Sequence, residues 1–153
     1  MKMLYKVLGL CMFLVVLNCK SIQNQNKLEK EDSFLIGKGN LYGSGAEGLA
    51  KQNLVITDSN QWNDLLKKIN AINNVSDGFS ETKINFSKYT LIAVFGDVKG
   101  TGGHSIELEV KSNLDNIEVY VYSKGPDGMA SSVMTQPFII VRIAKSEFPI
   151  VFK

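Results

Sequence analysis

The spacing of apolar positions changes character several times along this chain. Residues 7–17 form one short apolar run. Residues 20–32 then hold only Ile22 and Leu28 among Lys, Ser, Asn, Gln and acidic side chains, the composition of a hydrated tether. Phe34-Leu35-Ile36 reads as a strand start, and Leu54-Val55-Ile56 as a second short strand. Between them lie Gly37, Gly39, Gly43, Gly45 and Gly48 around Leu41-Tyr42. Glycines in an extended stretch indicate bulges, turns or a loose edge. The period then becomes helical. Trp62, Leu65, Leu66 and Ile69 fall at i, i+3, i+4 and i+7, one apolar stripe that predicts a helix over about 59–70. Asp58 suits the N-cap, and Gln61 three residues later completes a capping-box pattern.

Beyond Tyr89 the pattern is strand after strand. Leu91 to Phe95 is continuously apolar, as for a strand buried on both faces. Ile106, Leu108 and Val110 alternate with Ser105, Glu107 and Glu109. Ile117, Val119 and Val121 alternate with Glu118, Tyr120 and Tyr122, so each segment has one buried and one polar face. Residues 113–116 supply the turn between them. Phe138 to Ile143 is a second apolar run. Phe148, Ile150 and Phe152 share a parity, with Pro149 indicating an edge. The expected class is α+β: a mostly antiparallel sheet of about six or seven strands with one amphipathic helix, in a single domain over 34–153.

Charge sharpens the reading of the amino terminus. Lys2 and Lys6 precede the apolar run, which at eleven residues is well short of the roughly 20 a spanning helix needs. A positive region followed by a short apolar core is an export signal. Leu17-Asn18-Cys19 directly after it resembles the bacterial lipoprotein signal, with Asn18 where Gly, Ala or Ser is commoner. That resemblance implies a signal peptide over 1–18, lipidation of Cys19, and a flexible tether over 19–33. Lys20 follows the cysteine where an Asp marks inner-membrane retention in enteric bacteria, so the outer membrane of a Gram-negative envelope is favoured. Without Lys2 and Lys6 the chain has 15 basic and 15 acidic side chains. This balance and the lack of a basic block argue against nucleic acid. Cys11 lies in the signal, so the folded part has no cysteine for a disulfide, thiolate metal site or nucleophile. No cofactor is expected.

The most distinctive segment is Gly96-Asp97-Val98-Lys99-Gly100-Thr101-Gly102-Gly103-His104-Ser105. Gly100, Thr101, Gly102, Gly103 and His104 could cradle an anion on successive amides, or simply make a tight connection between strands. The segment lacks the P-loop ending, and a strand follows where a dinucleotide fingerprint needs a helix. His104 and Ser105 are strand neighbours that point to opposite sides, so they are not catalytic partners. A packed, hydrogen-bonded role suits His104 better. Glu107 and Glu109 fit a solvated strand face. Tyr120 and Tyr122 form a recognition patch if exposed. The stretch over 123–132, with Gly125-Pro126 and Asp127-Gly128 turn signals, is long for a hairpin and is a candidate contact loop.

Three blocks carry a family resemblance. They are Asn85-Phe86-Ser87-Lys88-Tyr89-Thr90-Leu91-Ile92-Ala93-Val94-Phe95, then Thr101-Gly102-Gly103-His104-Ser105-Ile106, then Thr135-Gln136-Pro137-Phe138-Ile139-Ile140-Val141. Together they resemble the PrcB family C-terminal domain, with His104 where Tyr is common. The Val55-Ile56 strand and Trp62 helix resemble the preceding region of small Bacteroidetes-type lipoproteins. The family takes its name from a lipoprotein subunit that binds and stabilises a surface protease, and it brings no catalytic residues to carry over. The resemblance therefore implies a non-enzymatic accessory lipoprotein whose partner is an envelope protein of the protease kind. The alternative is a module that binds a small ligand or glycan through the Gly100–His104 loop or the Tyr120/Tyr122 face.

Overall fold

A computed structural model describes residues 29–30 and 32–153. The apolar run over 7–17, Cys19 and most of the tether lie outside the described residues. The fold has three layers. The central sheet has the order β2-β7-β4-β3, with β2 at Phe34–Leu41, β3 at Gln52–Ile56, β4 at Tyr89–Phe95 and β7 at Gln136–Ala144. A second sheet has the order β1-β5-β6-β8, with β1 at Glu29–Lys30, β5 at Ser105–Ser112, β6 at Ile117–Lys124 and β8 at Ile150–Phe152. All pairings are antiparallel except β6 with β8, which is parallel. The helix α1, Ser59–Ile69, covers the other face of the central sheet with a short 3-10 turn at Val75–Gly78. The α+β class expected from the pattern holds, with the strands divided between two sheets.

The continuous apolar runs mark the middle layer. In β4, Leu91, Ala93 and Phe95 face the helix, while Ile92 and Val94 face the second sheet. In β7, Phe138 and Ile140 face the helix, while Ile139, Val141 and Ile143 face the second sheet. Strands buried on both faces have no polar positions to alternate with. β5 and β6 bury one face only: Ile106, Val110, Ile117 and Val119 enter the inter-sheet core, with Leu108 and Val121 packed at its margin. Phe148 departs from expectation. It lies outside β8 and is exposed, whereas Ile150 and Phe152 pack against the inter-sheet core. The three-residue strand is too short to include it.

On the helix side, Trp62, Leu65 and Ile69 are buried and Leu66 packs beside them. Trp62 stacks on Phe79 at 6.2 Å between centroids, and Phe79 contacts Phe138 at 6.1 Å. Phe79 fits because residue 37 is glycine: a Cβ there would lie 2.5 Å from the Phe79 ring. The same strand carries a register shift between Leu35 and Gly37. Ser80 occupies the irregularity, its amide donating to the Ile36 carbonyl and its hydroxyl to that of Leu35. At the start of α1, the Asp58 carboxylate accepts from the amides of Asn60 and Gln61. The Gln61 side chain accepts from Thr57 rather than Asp58, so the box closes one residue earlier than the pattern predicts. Asp58→Ala should cost about 1 kcal/mol, read as a lower urea midpoint with an unchanged slope.

Candidate functional site

The strand directions sort the connections between two poles. β2 ends at Leu41 beside Gln136, β3 begins beside Phe95, and Ser105 pairs with Lys124. One pole therefore collects three glycine-containing connections: residues 42–51, 96–104 and 125–135. Sequence reasoning named the second and third separately, and the structure brings them together. Lys99 and Thr135 exchange backbone hydrogen bonds of 2.7 and 2.9 Å. The Thr135 hydroxyl donates to the Thr101 carbonyl at 2.9 Å, and the Gly102 amide donates to the Ser131 carbonyl at 3.0 Å. Gly103 takes φ +78°, and a Cβ there would lie 2.8 Å from Pro126. Glycine at that position allows both the turn and the close approach.

Connections 96–104 and 125–135 line an open recess of about 600 Å³, with Gly102, Gly103, Lys124, Pro126, Met129 and Ser131 among its walls. The Gly102 amide is already committed to Ser131, so the series of free amides required by an anion cradle is interrupted at that position. His104 is half-buried. Its Nε2 lies 2.8 Å from the Thr101 hydroxyl, and its carbonyl accepts from the Asn40 side chain. It thus ties the turn together. Gly100 is exposed, with nothing near the position a Cβ would take.

The first connection, residues 42–51, reads in the sequence only as glycine-rich turns or a loose edge. Tyr42 and Ser44 line a smaller hollow of about 320 Å³ with Val133 and Met134. Buried Glu47 closes that loop by accepting from the Tyr42 amide at 3.0 Å. Its position in a glycine-rich stretch gave no sequence signal of burial. Gln136, also buried, donates to the carbonyls of Leu49 and Gly96 and so pins two of the connections to β7. Tyr42, Val98, Met129, Val133 and Met134 are all exposed at this pole. Tyr42 is 61% exposed and Met129 is fully so.

Tyr120 and Tyr122 lie elsewhere, on the outer face of the second sheet opposite Glu109 and Glu107. That face is laced by its own charges. Lys124 reaches Glu107 at 2.7 Å, Lys111 reaches Glu109 at 3.2 Å, and Lys153 reaches Glu118 at 3.4 Å. The Tyr120 hydroxyl donates to Glu118 and that of Tyr122 to Glu109. Lys111 lies over the Tyr120 ring. The Tyr120 hydrogen bond holds the Glu118 carboxyl below its ordinary value, with Lys153 adding to the effect, and raises the Tyr120 phenol above its own. Lys124 lowers Glu107 in the same way. The two tyrosines and the Gly100–His104 turn are therefore separate features. Among the described residues no three His, Cys, Asp or Glu side chains cluster to hold a metal ion.

The matched sequence blocks occupy the strands and loops that build this pole. Residues 90–144 match the PrcB C-terminal family model. The PrcB C-terminal match runs from β4 through β7 and contains two of the three loops. β2, β3, α1 and β8 fall outside it. No curated protein and no solved structure matches the chain.

Proposed function

We propose that this protein is a non-enzymatic lipoprotein of a Gram-negative envelope that binds and supports another envelope protein through its three-loop pole. The observation that carries this reading is the convergence of connections 42–51, 96–104 and 125–135 with exposed Tyr42, Met129, Val133 and Met134. Hydrogen bonds between the loops hold the surface ready, which lowers the ordering cost of docking. The PrcB C-terminal match covers two of the loops, and a protease is the partner class its resemblance suggests. Among the described residues no helix is long and apolar enough to cross a membrane. In this reading attachment rests on Cys19, following a signal peptide over 1–18, with the outer membrane favoured by Lys20. Stable anchoring by acyl chains takes two or more of them.

A second reading rests on the recess between Gly102–Gly103 and residues 124–131. Its size, about 600 Å³, suits a small ligand or a sugar unit. Its mixed lining gives no chemical class.

Anchor and contact surface are separable in this scheme. Cys19→Ser should move the protein from the detergent phase to the aqueous phase. Affinity capture of the soluble variant under native conditions should still recover a defined partner. Retention of Cys19→Ser in detergent would remove the lipid anchor from the account, and recovery of no partner would remove the binding role.

A further inference from the structure

The pole opposite the three loops has its own surface chemistry. The amino-terminal segment joins the fold there. Glu29 pairs with Ser112 and Lys30 with Lys111, so the chain arrives beside the turn over 113–116. That turn is closed by an Asn113 amide bond to the Asn116 carbonyl at 2.8 Å and by a bond between the two side chains. At its tip Leu114 is 67% exposed. Next to it the Pro149 carbonyl accepts from the Ile117 amide at 2.9 Å, which places Phe148, 48% exposed, at the same end. Lys145 bonds through its amide to the Lys88 carbonyl, adding two exposed cations, while Asp115 and Glu147 add two exposed acids.

We propose that this pole, led by Leu114 and Phe148, rests on the bilayer surface to which the protein is anchored, so that the three-loop pole faces away from the lipid. The proposal rests on the lipid-anchor reading of Cys19. The nine residues between Cys19 and Glu29 let the chain span at most about 35 Å from one to the other when fully extended. They end at Leu114's pole rather than at the loops. The eight residues of β5 separate the poles by about 27 Å. Apolar tips partition into the interfacial region of a bilayer. The two exposed lysines and two exposed acids beside the tips cancel, so apolar contact drives the docking.

The test uses the full acylated protein reconstituted into phosphatidylethanolamine–phosphatidylglycerol vesicles. Leu114→Cys and Met129→Cys each provide one site for an environment-sensitive fluorophore, because residues 20–153 contain no cysteine. Both positions are exposed, so neither change disturbs the core. The probe at 114 should shift to the blue and be quenched by spin-labelled lipid roughly threefold more than the probe at 129. Raising the salt concentration should leave that difference unchanged. Equal quenching at the two positions, or stronger quenching at 129, overturns the proposal and leaves partner capture by the loop pole unaffected. Failure of the protein to float with the vesicles overturns both this proposal and the anchor reading.

Discussion

Trp62→Ala should lower the stability of the domain by about 3–5 kcal/mol, the usual range for deleting a large aromatic from a core. Trp62 is 2% exposed, faces the central sheet from α1, and stacks on Phe79. Its indole Nε1 also donates to the Thr82 carbonyl at 2.8 Å. The substitution removes ring packing and leaves that carbonyl without its protein donor. Trp62→Phe separates the two terms: most of the packing stays while the hydrogen bond goes, and the expected loss falls to about 1–3 kcal/mol. Urea titration followed by far-ultraviolet circular dichroism measures both, since Trp62 is the chain's one tryptophan and its removal abolishes that fluorescence signal. A loss under about 1 kcal/mol for the alanine variant would mean that α1 is not the cover of the central sheet.

The second large effect concerns binding. Met129→Asp combined with Met134→Asp should reduce partner capture by more than about tenfold, because burying each methionine contributes roughly 1.5–3 kcal/mol and a buried unpaired charge opposes docking. Both side chains are exposed in the free protein, so the fold should be unaffected and the urea midpoint should match that of the unsubstituted chain. Tyr122→Ala, on the outer sheet face, serves as the control. Its hydroxyl bond to Glu109 is long at 3.3 Å and exposed, so neither stability nor capture should change appreciably. Unchanged capture by the double variant would move the contact surface away from the loops.

Much of the layered fold was legible because periodicity reports how many faces an element buries. The α1 stripe, the two doubly buried runs of β4 and β7, and the one-sided alternation of β5 and β6 each match their place. What periodicity leaves out is which strand lies beside which. The division into two sheets depends on long-range pairing, as does the parallel placement of β8 beside β6. The parity of Phe148 with Ile150 and Phe152 was read as a shared strand face, but parity holds only while the backbone remains extended. The candidate site shows the same limit. Gly102, Gly103 and the 123–132 stretch stood out locally through glycine and turn signals. Their meeting depends on the bonds from Thr135 to Thr101 and from Gly102 to Ser131, long-range contacts that glycine and turn signals do not report. Tyr42 joins them only because β2 pairs with β7.

Site-specific photo-crosslinking in intact cells tests the central claim most directly. A photoreactive residue is placed at Met129, at Tyr122 and at Leu114 in the full-length chain. The account predicts a discrete protein adduct from position 129, none from position 122, and lipid rather than protein from position 114. A protein adduct that forms from position 122 and not from 129 would contradict it.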